Sequence, residues 1–151
     1  MQHLIDRMRK GRDKRGFTLV ELLVVIVVLA VLAAIVLPKF MNSGTRSKES
    51  ALKSDLKLLR NAVSLFQADT SAYPKTLADL AATSAPAKGL DSAGAEVSIT
   101  ATDWHGPYID SVPKDPISKA DFSYGATSPN VGKVTSSSTA TSSENTAYNT
   151  W

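Results

Sequence analysis

"KRGFTLVELLVVIVVLAVLAAIVLPKF", residues 14–40, decides how the rest of this chain is read. Residues 17–37 are almost wholly apolar and carry one charge, Glu21. A helix of about 20 apolar residues matches the hydrocarbon thickness of a bilayer. A buried core helix is a poor alternative, because a run apolar on every face needs a large domain to surround it, and this chain has 151 residues. A secretory signal has a shorter apolar core, about 7–15 residues, closed by a small-residue cleavage site. Here Pro38-Lys39-Phe40 follows directly. The run is therefore expected to be a retained membrane anchor.

On its amino side lies a basic arm. Residues 1–16 hold Arg7, Arg9, Lys10, Arg12, Lys14 and Arg15 against Asp6 and Asp13, a net of +4. Of the chain's 17 basic and 14 acidic side chains, the other 135 residues keep 11 and 12. The basicity that gives a pI near 9.2 thus belongs to the arm and not to the body. By the positive-inside rule the arm is cytoplasmic and the body lies across the membrane. The asymmetry is six cations against Lys39, Arg46 and Lys48 on the far side.

Glu21 is the exception within the run. A charged residue at the centre of a membrane helix costs about 2.5–3.5 kcal/mol by insertion scales, so ionisable residues there are functional candidates. Near the end of the run the carboxylate is expected to await a cation.

Lys14-Arg15-Gly16, then Phe17-Thr18-Leu19-Val20-Glu21, then an aliphatic run closed by Pro38, resembles the N-terminal signal of type IV pilins and type II secretion pseudopilins. The resemblance implies a prepilin peptidase that cuts between Gly16 and Phe17 and methylates the Phe17 amine. It implies a kept anchor, and a helix proline at Pro38. It also gives Glu21 an assembly role: if subunits stack with an axial offset, this carboxylate can meet the Phe17 amine of a neighbour and set the register. Pairing within one subunit stays open beside pairing between subunits.

Beyond the run, Leu52, Leu56, Leu59, Val63 and Phe66 recur at helical spacing as one stripe, with Lys48, Lys53, Asp55, Lys57 and Arg60 on other faces. This predicts an amphipathic continuation whose apolar face is the core of a head. Asn42-Ser43-Gly44 is a place to kink or melt. Asp69-Thr70-Ser71 and Tyr73-Pro74 end the helix. Thr76, with Asp79 three residues on, predicts the start of a short second helix. Residues 81–94 are expected to be a loop. Glu96–Thr100 alternates as a strand does, and Phe122–Tyr124 and Lys133–Thr135 are weaker strand candidates. The expected fold is α+β and pilin-like: a long N-terminal helix, half transmembrane and half amphipathic, packed on a small antiparallel sheet. The organisation is a cleaved leader over residues 1–16, an anchor over 17–37, an amphipathic helix over 38–70 and a head over 71–151.

Trp104–Ile109, with its Gly-Pro-Tyr, and Val112–Pro116, with its Pro-Lys-Asp-Pro, resemble segments of the major pseudopilins, as does Tyr73-Pro74 ahead of Leu77 and Leu80. The prolines fix an extended path with tight turns over Tyr108 and Ile109. That family usually binds calcium in a C-terminal loop rich in acids. Residues 135–151, "TSSSTATSSENTAYNTW", depart from it with Glu144 as their one carboxylate, whereas calcium usually takes several. No cofactor or metal is expected, with calcium the one open possibility. The Ser/Thr-rich stretch 135–143 is expected to be a surface loop or a glycan-bearing one, and Tyr148 and Trp151 are candidate anchors for the tail.

The chain has no cysteine, so disulfides and thiolate metal sites are excluded. His105 is alone, between Trp104 and Gly106, and is expected to be structural. Asp103, Asp110, Asp115 and Asp121 are spaced irregularly, as in surface turns. No nucleophile–base set, metal spacing or phosphate loop occurs, which argues against an enzyme. The near-neutral body lacks a basic, aromatic-interleaved face for nucleic acid.

The resemblance implies a structural subunit of a helical homopolymeric filament, the major pseudopilin of a type II secretion system. Its partners would be the prepilin peptidase, an inner-membrane assembly platform, minor pilins or pseudopilins, and the membrane. A type IV pilin for motility, adhesion or DNA uptake is the first alternative. A membrane-anchored periplasmic binding module that never polymerises is the second.

Overall fold

The computed structural model describes residues 16–151, so the expectations for the basic leader at residues 1–15 lie outside the described residues. The chain forms two compact units, one ending at Met41 and one spanning Asn42–Trp151. Helix α1, Leu19–Thr70, supplies residues to both. Its helical path includes Pro38 and Asn42-Ser43-Gly44, so the expected local melting at that triplet is not seen.

In the second unit the stripe on α1 is buried as its spacing predicts. Leu52, Leu56, Leu59, Val63 and Phe66 are each 4% exposed or less, joined by Ala62. Leu77, Leu80, Ile109, Phe122, Val134 and Tyr148 complete the core against them. The Tyr108 ring packs on Phe66 with centroids 5.5 Å apart. The helix stops where Ser71 takes a left-handed φ of 55°, and the Thr70 hydroxyl donates back to the Phe66 carbonyl at 2.7 Å.

The short second helix is a single 3₁₀ turn, Leu77–Ala81. Asp79 accepts the Thr76 N–H at 2.8 Å and so caps it. Leu77 and Leu80, three apart, both point into the core, the spacing that a 3₁₀ turn aligns.

The expected loop over residues 81–94 contains a strand instead. β1, Lys88–Leu90, pairs antiparallel with β2, Glu96–Ser98, which is shorter than the expected Glu96–Thr100. β1 also bridges to Tyr73 through Leu90, with both backbone bonds at 2.8 Å. Gly89 permits this approach, since a Cβ there would fall 2.7 Å from the Tyr73 carbonyl oxygen. β3, Ser123–Tyr124, pairs antiparallel with β4, Val134–Thr135.

Among the described residues the β component is thus two two-stranded sheets and not one. Residues 99–122 run between them, and Pro107, Pro113 and Pro116 have no N–H to give to a ladder. Asp115 also corrects the surface-turn expectation, because it is fully buried. Its carboxylate accepts from Ser136 Oγ at 2.5 Å and from the N–H groups of Ile117, Ser118 and Ser137. It thereby staples the 115–118 turn to the strand end after β4. The architecture is α+β and pilin-like.

Candidate functional site

The sequence-predicted site residues Gly16, Phe17 and Glu21 gather at the start of α1. Gly16 and Phe17 precede the helix and are exposed, Phe17 by 79%. A Cβ built on Gly16 would meet nothing within 4 Å, so the Gly16–Phe17 peptide is open on that side. Thr18 caps the helix. Its N–H and its hydroxyl both donate to Glu21 Oε2 at 2.9 Å, and the Glu21 N–H donates to Thr18 Oγ1 at 3.2 Å. This reciprocal arrangement is a capping box, which satisfies N–H groups that a helix start leaves without partners. The positive end of the helix dipole further favours an anion here.

Glu21 therefore has a partner within its own chain, the N-cap Thr18. The sequence argument missed Thr18, although the spacing Thr-x-x-Glu is the same signal that located Thr76 and Asp79. Pro38 lies in α1 beyond the apolar run and takes no part in this box.

From Leu19 to Leu37 the helix has a mean hydropathy of 3.3. Its large apolar side chains are exposed on every face, between 43% for Val36 and 78% for Leu19. Backbone polar groups in such a segment are satisfied internally, which suits it to hydrocarbon. An apolar surface this extensive requires a cover, lipid or other helices.

The second unit holds its last residues on charged groups of α1. Glu49, only 6% exposed, accepts the Ser143 N–H at 2.6 Å, the Ser143 hydroxyl at 2.5 Å and the Tyr148 hydroxyl at 2.8 Å. The Ser143 bonds hold its pKa below the usual carboxylate value against the opposing effect of burial, helped by Tyr148 and Lys53. The Tyr148 hydroxyl is pushed up to about 12 by burial and by the Glu49 carboxylate. Lys53 pairs with Glu144 at 3.2 Å and lies 4.5 Å from the centre of the Trp151 ring. Tyr148 and Trp151 thus anchor the tail as their residue types suggest. The other end of α1 carries Asp69, which accepts the Tyr108 hydroxyl at 2.8 Å with His105 Nδ1 at 3.6 Å. Among the described residues no three His, Cys, Asp or Glu side chains gather as metal ligands. Glu49 escaped the sequence argument because its partners lie 94 and 99 residues away and leave no local pattern.

Two family profiles match the chain. The prokaryotic N-terminal methylation motif covers residues 11–37, and type II secretion system protein G covers residues 39–147. Among curated relatives, the type II secretion system core protein G of Pseudomonas aeruginosa is 40% identical over 65 residues, 43% of this chain and 46% of that protein. That of Escherichia coli is 39% identical over 69 residues, 46% of this chain and 48% of that protein. That of Klebsiella pneumoniae is 37% identical over 103 residues, 68% of this chain and 69% of that protein. The chain spans about half the length of the first two and two thirds of the third. No solved structure matches.

Proposed function

The chain belongs to the type II secretion system protein G family, and from that premise we propose that it is the major pseudopilin, a structural and non-enzymatic subunit of a periplasmic filament that supports protein export. The observation that carries this reading is the helix Leu19–Leu37, apolar and exposed on every face and capped at its start by Thr18 and Glu21. The same segment suits two environments in turn, the inner membrane before assembly and a bundle of like helices afterwards.

In this mechanism a prepilin peptidase cuts the Gly16–Phe17 bond on the cytoplasmic face and methylates the Phe17 amine. The cut places a cation beside a segment that already holds the Glu21 carboxylate. In a low-dielectric setting, opposite charges are better paired than apart. Glu21 then exchanges part of its capping box for a neighbour's Phe17 amine and fixes the axial register of subunits. Minor pseudopilins and an inner-membrane platform complete the assembly, and the head faces the periplasm.

Mass spectrometry of the mature amino terminus, paired with a secretion assay on a deletion strain, tests the proposal. The expected result is an N-methylated Phe17 together with loss of export on deletion. A retained Met1 removes the processing mechanism. Normal export with loss of motility or DNA uptake favours a type IV pilin.

A further inference from the structure

The resemblance to major pseudopilins implies a calcium ion in the loop near residue 144, and the donor set here does not fit one. Calcium takes six to eight oxygen ligands, usually with several carboxylates. The loop's single acid, Glu144, is 65% exposed in its side chain and turned to Lys53 at 3.2 Å. Ser142, nearly buried, has its hydroxyl 2.9 Å from that of Thr146 and accepts the N–H groups of Glu144 and Thr146. Glu49 and Glu144 line one shallow depression with Arg46 and Lys53, so the two anions there already have two cations beside them.

The polarity of the loop is inverted as well. A cation site needs carbonyl and carboxylate oxygens turned inward. Here the loop tip turns donors inward, the Ser143 N–H and hydroxyl, joined by the Tyr148 hydroxyl, onto the anion of Glu49. The loop is already closed at its base by the Thr141–Ala147 bridge and the Ser142 N–H to Thr146 carbonyl bond at 2.8 Å.

We propose that the Glu49 carboxylate takes the place of the metal, so that the loop 141–147 closes on α1 and the head folds without calcium. The inference is independent of the filament reading, since it concerns the isolated subunit.

The test uses the full chain in detergent, with thermal unfolding followed in excess EGTA and in about 1 mM calcium, and with limited proteolysis mapped by mass spectrometry. A site filled a hundredfold above its Kd would raise the midpoint by roughly 10 °C or more. The expected result is midpoints that coincide within about 2 °C, given the few degrees that even one weak contact moves a domain of this size. In Glu49→Gln, cleavage within residues 141–151 is expected to accelerate several-fold whether or not calcium is present. A larger calcium-dependent rise in the native chain overturns the proposal. So does a tail cleaved in Glu49→Gln at the native rate. Should that variant fail to fold, the calcium comparison on the native chain decides alone.

Discussion

Arg60 on α1 holds the carbonyl of Val134 from two nitrogens, Nε at 3.1 Å and Nη2 at 2.8 Å, and the same Nη2 reaches the Trp151 carbonyl at 2.5 Å. One guanidinium thus ties the amphipathic helix to β4 and to the tail. Its planar fork is what permits three bonds from one side chain.

Arg60→Ala is expected to lower unfolding free energy by about 2 kcal/mol, the range for charge-assisted bonds to a partly buried acceptor. Arg60→Lys is expected to recover only part of this, since a single ammonium cannot reproduce the fork. Urea unfolding checks both, with a shifted midpoint and an unchanged slope.

Phe66 is fully buried at the centre of the α1 stripe and packs on Tyr108. Phe66→Ala is expected to cost about 3–5 kcal/mol, the loss for a large aromatic removed from a close-packed core. Leu65, on the same helix but 56% exposed, provides the contrast. Leu65→Ala is expected to fall within about 0.5 kcal/mol of the native chain. Both are read by thermal or denaturant unfolding.

At the start of α1, variants separate the capping bonds of Glu21 from its proposed part in assembly. Glu21→Ala is expected to leave cleavage after Gly16 intact and to abolish sheared filaments. Glu21→Gln keeps an acceptor for Thr18 but removes the charge, so it is expected to assemble as poorly as Glu21→Ala. Filaments from Glu21→Gln at the native level would assign the role to the capping box alone. Thr18→Val is expected to weaken the helix start by about 1 kcal/mol, measured as faster amide exchange at residues 20–22 in micelles.

Acid should weaken the head through Asp115 and Glu49. Burial pushes the Asp115 pKa up, but the Ser136 hydroxyl and the N–H groups of Ile117, Ser118 and Ser137 outweigh it and leave it below the usual value. Glu49 lies below its usual value for the reasons given above. A carboxylate whose folded pKa is depressed contributes stability above its unfolded pKa and loses it as pH falls through the folded one. Unfolding midpoints are therefore expected to hold steady from pH 7 to about 5 and to fall below about 4, near the unfolded values of Asp and Glu. Asp115→Asn and Glu49→Gln should each flatten that acid limb while lowering the plateau. Asp55 runs the other way, its pKa raised by burial and then by the Asp115 charge. Its contribution is present at low pH and lost as pH rises, so Asp55→Asn is expected to stabilise the neutral protein slightly.

The chain's own patterns carried the fold as far as local periodicity reaches. The spacing of Leu52, Leu56, Leu59, Val63 and Phe66 marks the buried face of α1, and the apolar run 17–37 stands apart in composition from the rest. β1 had no such signal. Lys88-Gly89-Leu90 sits in a small-residue stretch and becomes a strand only because Tyr73 and β2 lie on either side. Asp115 looked like a turn residue because its local bonds to Ile117 and Ser118 are those of a turn. Its burial depends on Ser136 and Ser137, 21 and 22 residues later. Of the candidate site, Gly16, Phe17 and Glu21 stand out in the sequence as a motif, whereas the grip of Glu49 on Ser143 and Tyr148 exists only in three dimensions.

That grip also sets an order of events during folding. Glu49 meets Tyr148 across 99 residues, and Arg60 meets Trp151 across 91. Contacts this distant in sequence form late, after the intervening chain has become available. Until residues 134–151 have joined it, the core lacks Val134 and Tyr148 and the α1 stripe stays partly bare. The second unit therefore cannot close ahead of its last residues. It waits as an open apolar face, exposed to proteolysis and aggregation, and the arrival of the tail is what closes the core.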